Sequence, residues 1–305
     1  VHAMIVQEGL LESHLILGNS LVYMYTKCGF FKEAQEVVNE ICARDVASWT
    51  AMIAGYGEYD QAEEALKCFD VMTDDGMCPN VITYSCILKA CSSTGNIDKG
   101  MQIHSEIARK CMLEKDLIIG NALVDMYSKC GSLSKAKEAF DKLLVRDAIS
   151  WNILIFGYTM HDHGKEAMMC FEQMQREGVS LTTFTYVSAL KACGISLDTE
   201  KGKEIHSQIT RKGLLETDDL VGNMLVDMYG RCGSIPDAEN VFSQVQCYDT
   251  ISCNSMLSAY VELGQEGKAM LLYRKMKEDD IVIDDVTHLC VLQACSESGS
   301  LEICM

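Results

Sequence analysis

Two short histidine motifs contain the residues whose types and spacing come closest to catalytic or metal-binding chemistry. His104-Ser105-Glu106 has the His-x-Glu order in which zinc deaminases place a metal ligand and a general acid/base. The remaining zinc ligands of such a site come from a Cys-x-x-Cys pair, and no such pair occurs among the 16 cysteines. The matching positions read His-Ser-Gln from His206 and His-Ala-Met from His2, so the glutamate does not recur. We therefore predict that these histidines pack between helices and that the chain has no catalytic residue.

The second motif, His161-Asp162-His163, falls in a predicted turn between helices and is interpreted as solvated. The sequence also has no glycine-rich phosphate loop and no nucleophile motif. The chain is accordingly predicted not to be an enzyme and to need no metal or cofactor.

The cysteines recur at fixed positions. Cys91, Cys193 and Cys295 share one register inside apolar segments, as equivalent core residues would. This pattern predicts reduced structural thiols in an intracellular compartment rather than a disulfide framework.

An eleven-residue stretch that occurs three times indicates how the chain is built. NALVDMYSKCG at 121–131 reappears as NSLVYMYTKCG at 19–29 and NMLVDMYGRCG at 223–233, a spacing of 102 residues. The same shift aligns the Lys-Ala-Cys triplets at Lys89 and Lys191. A large unit is therefore repeated.

Each 102-residue unit divides into three unequal pieces, and each piece is predicted to be a pair of amphipathic helices. The short pieces are 15–45, 117–147 and 219–249, the middle ones 46–80, 148–182 and 250–284, the long ones 81–116 and 183–218, with partial long copies at 1–14 and 285–305. A pair of about 35 residues cannot bury its apolar faces alone, so the pairs are expected to stack as one all-α solenoid over residues 1–305 without a domain boundary.

Local signals agree with helices. Apolar residues recur at three- and four-residue steps, as in Leu66, Phe69 and Met72. Asp60 followed three residues later by Glu63 predicts a helix N-cap. The glycines at the end of the eleven-residue stretch predict helix stops, and these are Gly29, Gly131 and Gly233.

Composition limits the functional classes. The 305 residues are 48% hydrophobic and 23% charged, which is typical of a folded globular chain, and no apolar run reaches the roughly 18 to 20 residues of a membrane span. The sequence starts without Met or a leader, so we expect a fragment whose targeting signal, if there is one, lies upstream. The net charge of −18 is unusual for a nucleic-acid binder, which ordinarily carries a basic surface.

The motifs resemble those of the pentatricopeptide repeat (PPR) proteins of the P-L-S subclass, found mainly in land-plant organelles. VASWTAMIAGY and AISWNILIFGY resemble P-type motifs, VITYSCILKAC followed by KGMQIHSEI resembles an L-type motif, and GNALVDMYSKCGS resembles an S-type motif. The short, middle and long pieces thus correspond to S, P and L motifs across essentially the whole chain. Tetratricopeptide repeats also stack helix pairs, but their W-x2-LG-x2-Y pattern is absent.

The resemblance implies a right-handed superhelical solenoid that binds single-stranded RNA, one nucleotide per motif. In the family the fifth and last residues of a motif contact the base edge, and the second residue packs on the base face. The corresponding pairs are Asn19/Asp45, Thr50/Asn80, Ser85/Asp116, Asn121/Asp147, Asn152/Thr182, Val187/Asp218, Asn223/Asp249 and Asn254/Asp284.

The family preferences imply a target. Asn/Asp pairs favour U, Thr/Asn favours A and Asn/Thr a pyrimidine, while L-type motifs read weakly and Val187 offers no hydrogen bond. The implied tract is 5′-U-A-n-U-Y-n-U-U-3′, with G favoured by Ser85/Asp116. The same Asn and Asp residues are also ordinary helix caps, and capping does not exclude base contact.

Basic residues that recur in the repeat are candidates for phosphate contact. Lys89 follows Ser85 by four residues, about 40° around a helix, and Lys27 follows Asn19 by eight, about 80°. The complete candidate set is Lys27, Lys89, Lys129, Lys191 and Arg231. The alternative is that they are solvated surface charges.

The resemblance further implies a specificity module for RNA processing in a mitochondrion or plastid, most simply recognition of C-to-U editing sites. Single-stranded RNA is then the partner, with editing-factor proteins or a deaminase domain outside this fragment. Two alternatives stay open at this stage. One is a protein-interaction solenoid without direct RNA binding, which the acidic charge favours, and the other is a degenerate copy that has lost binding.

Overall fold

A computed structural model describes residues 2–7, 14–41, 45–113, 116–215, 218–244 and 249–298, and these residues form α-helices joined by short turns. The chain divides into two compact units, Val1–Leu154 and Ile155–Met305. Parts of the two partial motifs predicted at 1–14 and 285–305 lie outside the described residues.

The first unit contains helices in short succession. They are α1 (His2–Gln7), α2 (Leu15–Lys27), α3 (Phe31–Glu40), α4 (Val46–Glu58), α5 (Ala62–Asp74), α6 (Val81–Thr94), α7 (Ile97–Arg109), α8 (Leu117–Lys129) and α9 (Leu133–Asp141), followed by the start of α10 (Ala148–Met160).

The second unit repeats the same plan from the end of α10 onward. Its helices are α11 (Gly164–Arg176), α12 (Thr183–Ser196), α13 (Thr199–Arg211), α14 (Asp219–Arg231), α15 (Ile235–Gln244), α16 (Thr250–Glu262), α17 (Glu266–Glu278) and α18 (Asp285–Ser298).

Stacking of the first helix of each pair on the first helix of the next builds both units. In the first unit α2 packs on α4, α4 on α6 and α6 on α8, while in the second α12 packs on α14, α14 on α16 and α16 on α18. Second helices also pack against the first helix of their own pair, as α3 does on α2 and α13 on α12. Helix pairs that stack in this way make an α-solenoid, so the predicted all-α fold is confirmed.

The core lies between stacked helices and is made of the residues that recur in the sequence. Trp49, Tyr84 and Tyr186 are almost fully buried, as are Leu123 and Val124 of the eleven-residue stretch at 121–131. Cutting such a buried aromatic side chain down to alanine typically costs about 3–5 kcal/mol of stability. The repeat sequence therefore encodes mainly packing.

Cys91, Cys193 and Cys295 are buried, reduced thiols, as their shared register predicts. Burial raises the pKa of Cys91 and Cys193 to about 12, so both are protonated at neutral pH. They therefore act as small apolar side chains of the core.

Helix ends follow the turn residues in part. Gly29 and Gly131 have φ of +76° and +74° two residues beyond the last residue of α2 and of α8, as predicted. The predicted cap at Asp60 is wrong, because α5 is preceded by Gln61 and Asp60 itself has φ +56°. Asp60 ends the preceding turn in a left-handed conformation that Asp tolerates better than most residues.

In the part of the chain that the structure describes, every helix is too short or too polar to cross a bilayer.

Candidate nucleic-acid interface

Asn19 and Asp45 meet at the junction between α2 and α4. The Asn19 Nδ2 donates to both carboxylate oxygens of Asp45, at 3.3 and 3.1 Å. Asp45 also caps α4, because its Oδ1 accepts from the Ser48 backbone N–H at 2.9 Å. The buried Ser48 hydroxyl lies 2.5 Å from Asn19 Oδ1 and 2.9 Å from Asp45 Oδ1. Three side chains from adjacent motifs thus form one hydrogen-bonded set.

The charge of Asp45 is stabilised within this set. Burial by itself raises the pKa of the carboxyl, but hydrogen bonds from Ser48 and Asn19 outweigh it and hold the pKa below the ordinary value of 3.8. At neutral pH Asp45 is therefore a pure hydrogen-bond acceptor.

Asn254 and Asp284 repeat this arrangement in the second unit. Asn254 Nδ2 donates to Asp284 Oδ1 and Oδ2 at 2.9 and 3.2 Å. The buried Thr287 hydroxyl donates to Asn254 Oδ1 at 2.7 Å, and its backbone N–H donates to Asp284 Oδ1 at 2.8 Å. The hydrogen bonds from the Thr287 backbone and from Asn254 lower the pKa of Asp284.

Thr50 and Asn80 are joined through a third residue. The Thr50 and Thr83 hydroxyl oxygens are 2.7 Å apart, and Thr83 donates to Asn80 Oδ1 at 3.0 Å. Asn80 and Thr83 also form a reciprocal cap at the start of α6. This predicted pair is therefore connected, although its two members do not touch directly.

Two further pairs, Asn121/Asp147 and Asn223/Asp249, have the same spacing in the sequence as Asn19/Asp45. Within the described residues, the Asn and the Asp of each of these pairs are not hydrogen-bonded to each other. The Oδ1 atoms of Asn121 and Asn223 are buried without a partner. Asp147 instead accepts from the Ser150 backbone and hydroxyl at 2.8 and 2.9 Å. Asp249 accepts from the Ser252 backbone at 2.7 Å.

The pairs of the L-type pieces differ in backbone geometry. Asp116 and Asp218 accept from the N–H two residues later, at 2.9 and 3.1 Å, with ψ of 110° and 104°. The following third positions are the buried aliphatic residues Ile119 and Val221, which have no hydroxyl to form a bridge. In the described residues no hydrogen bond links Ser85 with Asp116, and Val187 has none to offer.

Asn152 and Thr182 belong to different compact units. Asn152 is half-buried on α10. Thr182 caps α12, because its hydroxyl accepts from the Thr185 backbone at 3.2 Å while its own N–H donates to the Thr185 hydroxyl at 3.0 Å.

Exposed apolar side chains accompany these polar sets. The second residue of most motifs is a large apolar residue at the surface, with 81% exposure for Ile16 and 61% for Ile82. The other exposed members are Ile118, Ile149, Phe184, Leu220, Ile251 and Val286. Each lies three residues before the fifth position, on the same side of its helix. Exposed apolar side chains and hydrogen-bonding side chains thus lie next to each other on these helices.

The predicted phosphate-contacting residues fall into two groups. Lys27 pairs with Glu58 at 2.6 Å, Lys129 with Asp125 at 2.8 Å and Arg231 with Asp227 at 3.0 Å. By contrast, exposed Lys89 and half-buried Lys191 form no ion pair with any described residue. Carboxylates therefore neutralise part of the positive charge that the sequence offers.

The Ser and Thr residues at the third position of the following motif also belong to the site, although they were not predicted from the sequence. They lie in the first turn of the helices that follow S and P motifs and are fully buried: Ser48, Thr83, Ser150, Thr185, Ser252 and Thr287. Their own 102-residue spacing, from Ser48 to Ser150 to Ser252 and from Thr83 to Thr185 to Thr287, is the signal that could have identified them.

The His104 motif has a structural role. His104 Nδ1 lies 2.8 Å from the Tyr127 hydroxyl, and His206 Nδ1 lies 2.9 Å from that of Tyr229. Glu106 accepts a hydrogen bond from the Tyr84 hydroxyl at 2.6 Å, so its carboxylate is engaged in packing between helices. Among the described residues no group of three or more His, Cys, Asp and Glu side chains is arranged to hold a metal ion.

The fold and this recurring arrangement define an α-solenoid protein in which each motif can present its own polar and apolar groups. The chain belongs to the pentatricopeptide repeat family. The PPR repeat family profile matches residues 44–93, 146–194 and 248–297, and the PPR repeat profile matches 19–46, 82–112, 121–147 and 223–248.

Relatives from Arabidopsis thaliana match almost the full chain. Pentatricopeptide repeat-containing protein At1g74600, chloroplastic, is 36% identical over 302 residues, which are 99% of this chain and 33% of that protein. The mitochondrial protein At3g24000 is 35% identical over 292 residues, which are 95% of this chain and 45% of that protein. The chain thus spans between a third and a half of the length of these relatives.

A solved structure has a similar fold. The pentatricopeptide repeat protein PPR10 in complex with an 18-nt psaJ RNA element matches with a TM-score of 0.80 at 19% identity, over 98% of this chain and 46% of that chain. At this identity the likeness concerns the fold alone.

Proposed function

We propose that this chain binds single-stranded RNA sequence-selectively, one nucleotide per motif. The observation that carries the proposal is the recurring combination of a hydrogen-bonded Asn or Thr set with an exposed apolar second residue. Single-stranded bases are recognised by stacking on their faces and hydrogen bonding along their edges, and the two features supply these contacts. The fold shared with PPR10, which was crystallised with an RNA element, supports the proposal.

The proposed target is 5′-U-A-n-U-Y-n-U-U-3′, read by the pairs named above. The joined pairs Asn19/Asp45, Thr50/Asn80 and Asn254/Asp284 are the strongest candidates, because their polar atoms are already held together by hydrogen bonds. Preorganised groups lose less entropy on binding. Lys89 and Lys191 are the best candidates for phosphate contact, because carboxylates engage the other three.

We further propose that the chain belongs to the P-L-S subclass and acts as the specificity module of an organelle RNA-processing protein, most simply one that selects C-to-U editing sites. The fixed order of three motif types supports the subclass, and the chloroplastic and mitochondrial names of the relatives support an organelle. A deaminase domain or editing-factor protein would then act next to the bound RNA.

A second candidate is a solenoid that binds a basic protein instead of RNA. The charge of −18 and the ion pairs at Lys27, Lys129 and Arg231 favour it. The two candidates differ in what competes for the surface: a nucleic-acid tract of defined sequence or a positively charged polypeptide.

A mobility-shift titration distinguishes them. The purified chain is titrated with an RNA that contains the proposed tract, with the complementary RNA, and with DNA of the tract sequence. We expect the tract RNA to bind at least tenfold more tightly than the other two. Equal binding to tract and complement overturns the sequence assignment, and absence of binding to any RNA overturns RNA recognition in favour of a protein partner.

A further inference from the structure

We propose that the buried hydroxyl at the third position of the following motif is a positioning residue that sets base selectivity. In two motifs this hydroxyl and the last residue hold the fifth-position asparagine from both sides, an arrangement that we call the amide clamp. The clamps are Asp45 with Ser48 around Asn19, and Asp284 with Thr287 around Asn254. This inference rests on the proposed RNA binding.

The hydrogen bonds of the clamp determine which end of the Asn19 amide is the nitrogen and which is the oxygen. Asp45 is ionised and only accepts, so the atom of Asn19 that faces it must be the Nδ2 donor, at 3.1 and 3.3 Å. The amide oxygen then faces Ser48 Oγ at 2.5 Å. Asp45 Oδ1 already receives N–H groups from Ser48 and Asn19, so the serine proton is best used on the nearer amide oxygen.

The Asn254 clamp follows the same logic. Thr287 Oγ1 is 2.7 Å from Asn254 Oδ1 and 2.9 Å from Asp284 Oδ1, so again the amide oxygen is the nearer acceptor. The second N–H of Nδ2 is then the only unused donor of the amide. That N–H can bind a base carbonyl but meets a like donor in an exocyclic amino group. Uracil and cytosine differ by this exchange at the fourth ring position.

Asn121 lacks a clamp although its sequence context is the same. The Ser150 hydroxyl is fully buried, as Ser48 is, and donates to Asp147 Oδ1 at the same 2.9 Å that separates Ser48 from Asp45. Yet Asn121 Oδ1 has no hydrogen-bond partner. Ser48 and Ser150 therefore share residue type, burial and carboxylate contact, and differ in the contact with the amide.

This difference provides a matched pair of variants, Ser48→Ala and Ser150→Ala. Both remove a fully buried hydroxyl, and with it one donated hydrogen bond, beside an N-cap aspartate, so both should lower the thermal unfolding temperature similarly. Only Ser48→Ala frees an amide oxygen. We expect it to reduce the ratio of affinities for U over C at the first nucleotide of the tract about fivefold, the typical worth of one hydrogen bond. Ser150→Ala should change the ratio at the fourth nucleotide less than twofold, and Ser48→Thr should keep the wild-type ratio.

The measurement is a set of equilibrium titrations with tract RNAs that carry U or C at the first or the fourth nucleotide. Loss of the ratio in Ser48→Ala, with retention in Ser48→Thr and Ser150→Ala, supports the clamp. Equal ratios in Ser48→Ala and wild type, or equal losses in both alanine variants, overturn the clamp while RNA binding stands. A wild-type chain that binds none of these RNAs overturns the proposed function itself, and the clamp with it.

Discussion

The amide of Asn19 donates to both carboxylate oxygens of Asp45, 26 residues further along the chain. The contact joins the first helix of one motif to the N-cap of the next. Asp45, which caps a helix, is thereby held beside Asn19, the residue proposed to read a base.

Replacing Asn19 and Asp45 by the residues of another pair should change the base that is preferred at the first nucleotide. The double variant Asn19→Thr/Asp45→Asn copies the Thr50/Asn80 pair into the first S motif, and we expect the preferred first nucleotide to change from U to A. Hydrogen-bonded base discrimination is typically worth about 1–3 kcal/mol, so the ratio of the two affinities should change roughly tenfold or more. Titrations with the four single-nucleotide versions of the tract measure it.

The reciprocal variant is the control for this exchange. Thr50→Asn/Asn80→Asp should change the second nucleotide from A to U and leave the first unaffected. Variants that keep the wild-type preference at both positions would show that these pairs are caps and nothing more.

Lys89 and Lys191 should dominate the salt dependence of RNA binding. Each has no ion-pair partner among the described residues, whereas Lys129 is already paired with Asp125 at 2.8 Å. Replacing Lys89 or Lys191 by Gln should reduce the slope of log affinity against log salt by about 0.7 if one phosphate contact is lost. Lys129→Gln should change it less. Affinities measured between low and physiological salt test this, and equal slopes in all three variants would exclude the two lysines as phosphate contacts.

Stability should fall as pH falls from about 7 to 5. Burial lowers the pKa of His104, with smaller contributions from nearby Lys142 and Lys135, and burial also lowers that of His206. A pKa that is lower in the folded state means that the unfolded chain binds protons first, so stability is present above the ordinary value of 6.5 and is lost below it. Urea unfolding at several pH values measures the effect.

The control for the pH effect is the double variant His104→Gln/His206→Gln. It removes both groups and should lose less stability than the wild type over the same interval. If both proteins lose the same amount, these two histidines do not account for the pH dependence.

Leu197→Gly should stabilise the protein. Leu197 follows the last residue of α12 with φ +56°, and its side chain is 65% exposed, so the substitution relieves an unfavourable conformation at little loss of packing. Gly95 occupies the equivalent position after α6 with φ +67°. A left-handed residue with a side chain costs about 1–2 kcal/mol, partly offset by the entropy of glycine, so we expect a gain of up to about 1 kcal/mol. Gly95→Leu should lose stability, and chemical denaturation of both variants provides the check.

The fold could be predicted from the sequence because each motif repeats its packing residues. The 102-residue spacing separated the helix pairs, and Gly29 and Gly131 marked the ends of α2 and α8. These are local or periodic properties, and they survive as long as neighbouring motifs are alike. The failure at Asp60 is also local, because an Asp three residues before a Glu fits both a cap and a left-handed turn residue.

The charge pairing could not be predicted in the same way. Lys27, Lys129 and Arg231 share a register, but Tyr23 stands where Asp125 and Asp227 stand in the other copies. Lys27 therefore takes its partner Glu58 from the next motif, across a helix contact. The position of Glu58 relative to Lys27 depends on how α2 and α4 pack.

The sequence by itself determined the repeat, the helix pairs and the residue types that stand at the fifth, last and third positions. Only the tertiary structure decided that Asn19 is clamped and Asn121 is not, since both precede an Asp 26 residues later and a Ser 29 residues later. The reason is physical: a hydrogen bond is made or lost over a few tenths of an ångström. Side-chain positions at that scale are set by the packing of adjacent helices, which the repeated letters do not specify.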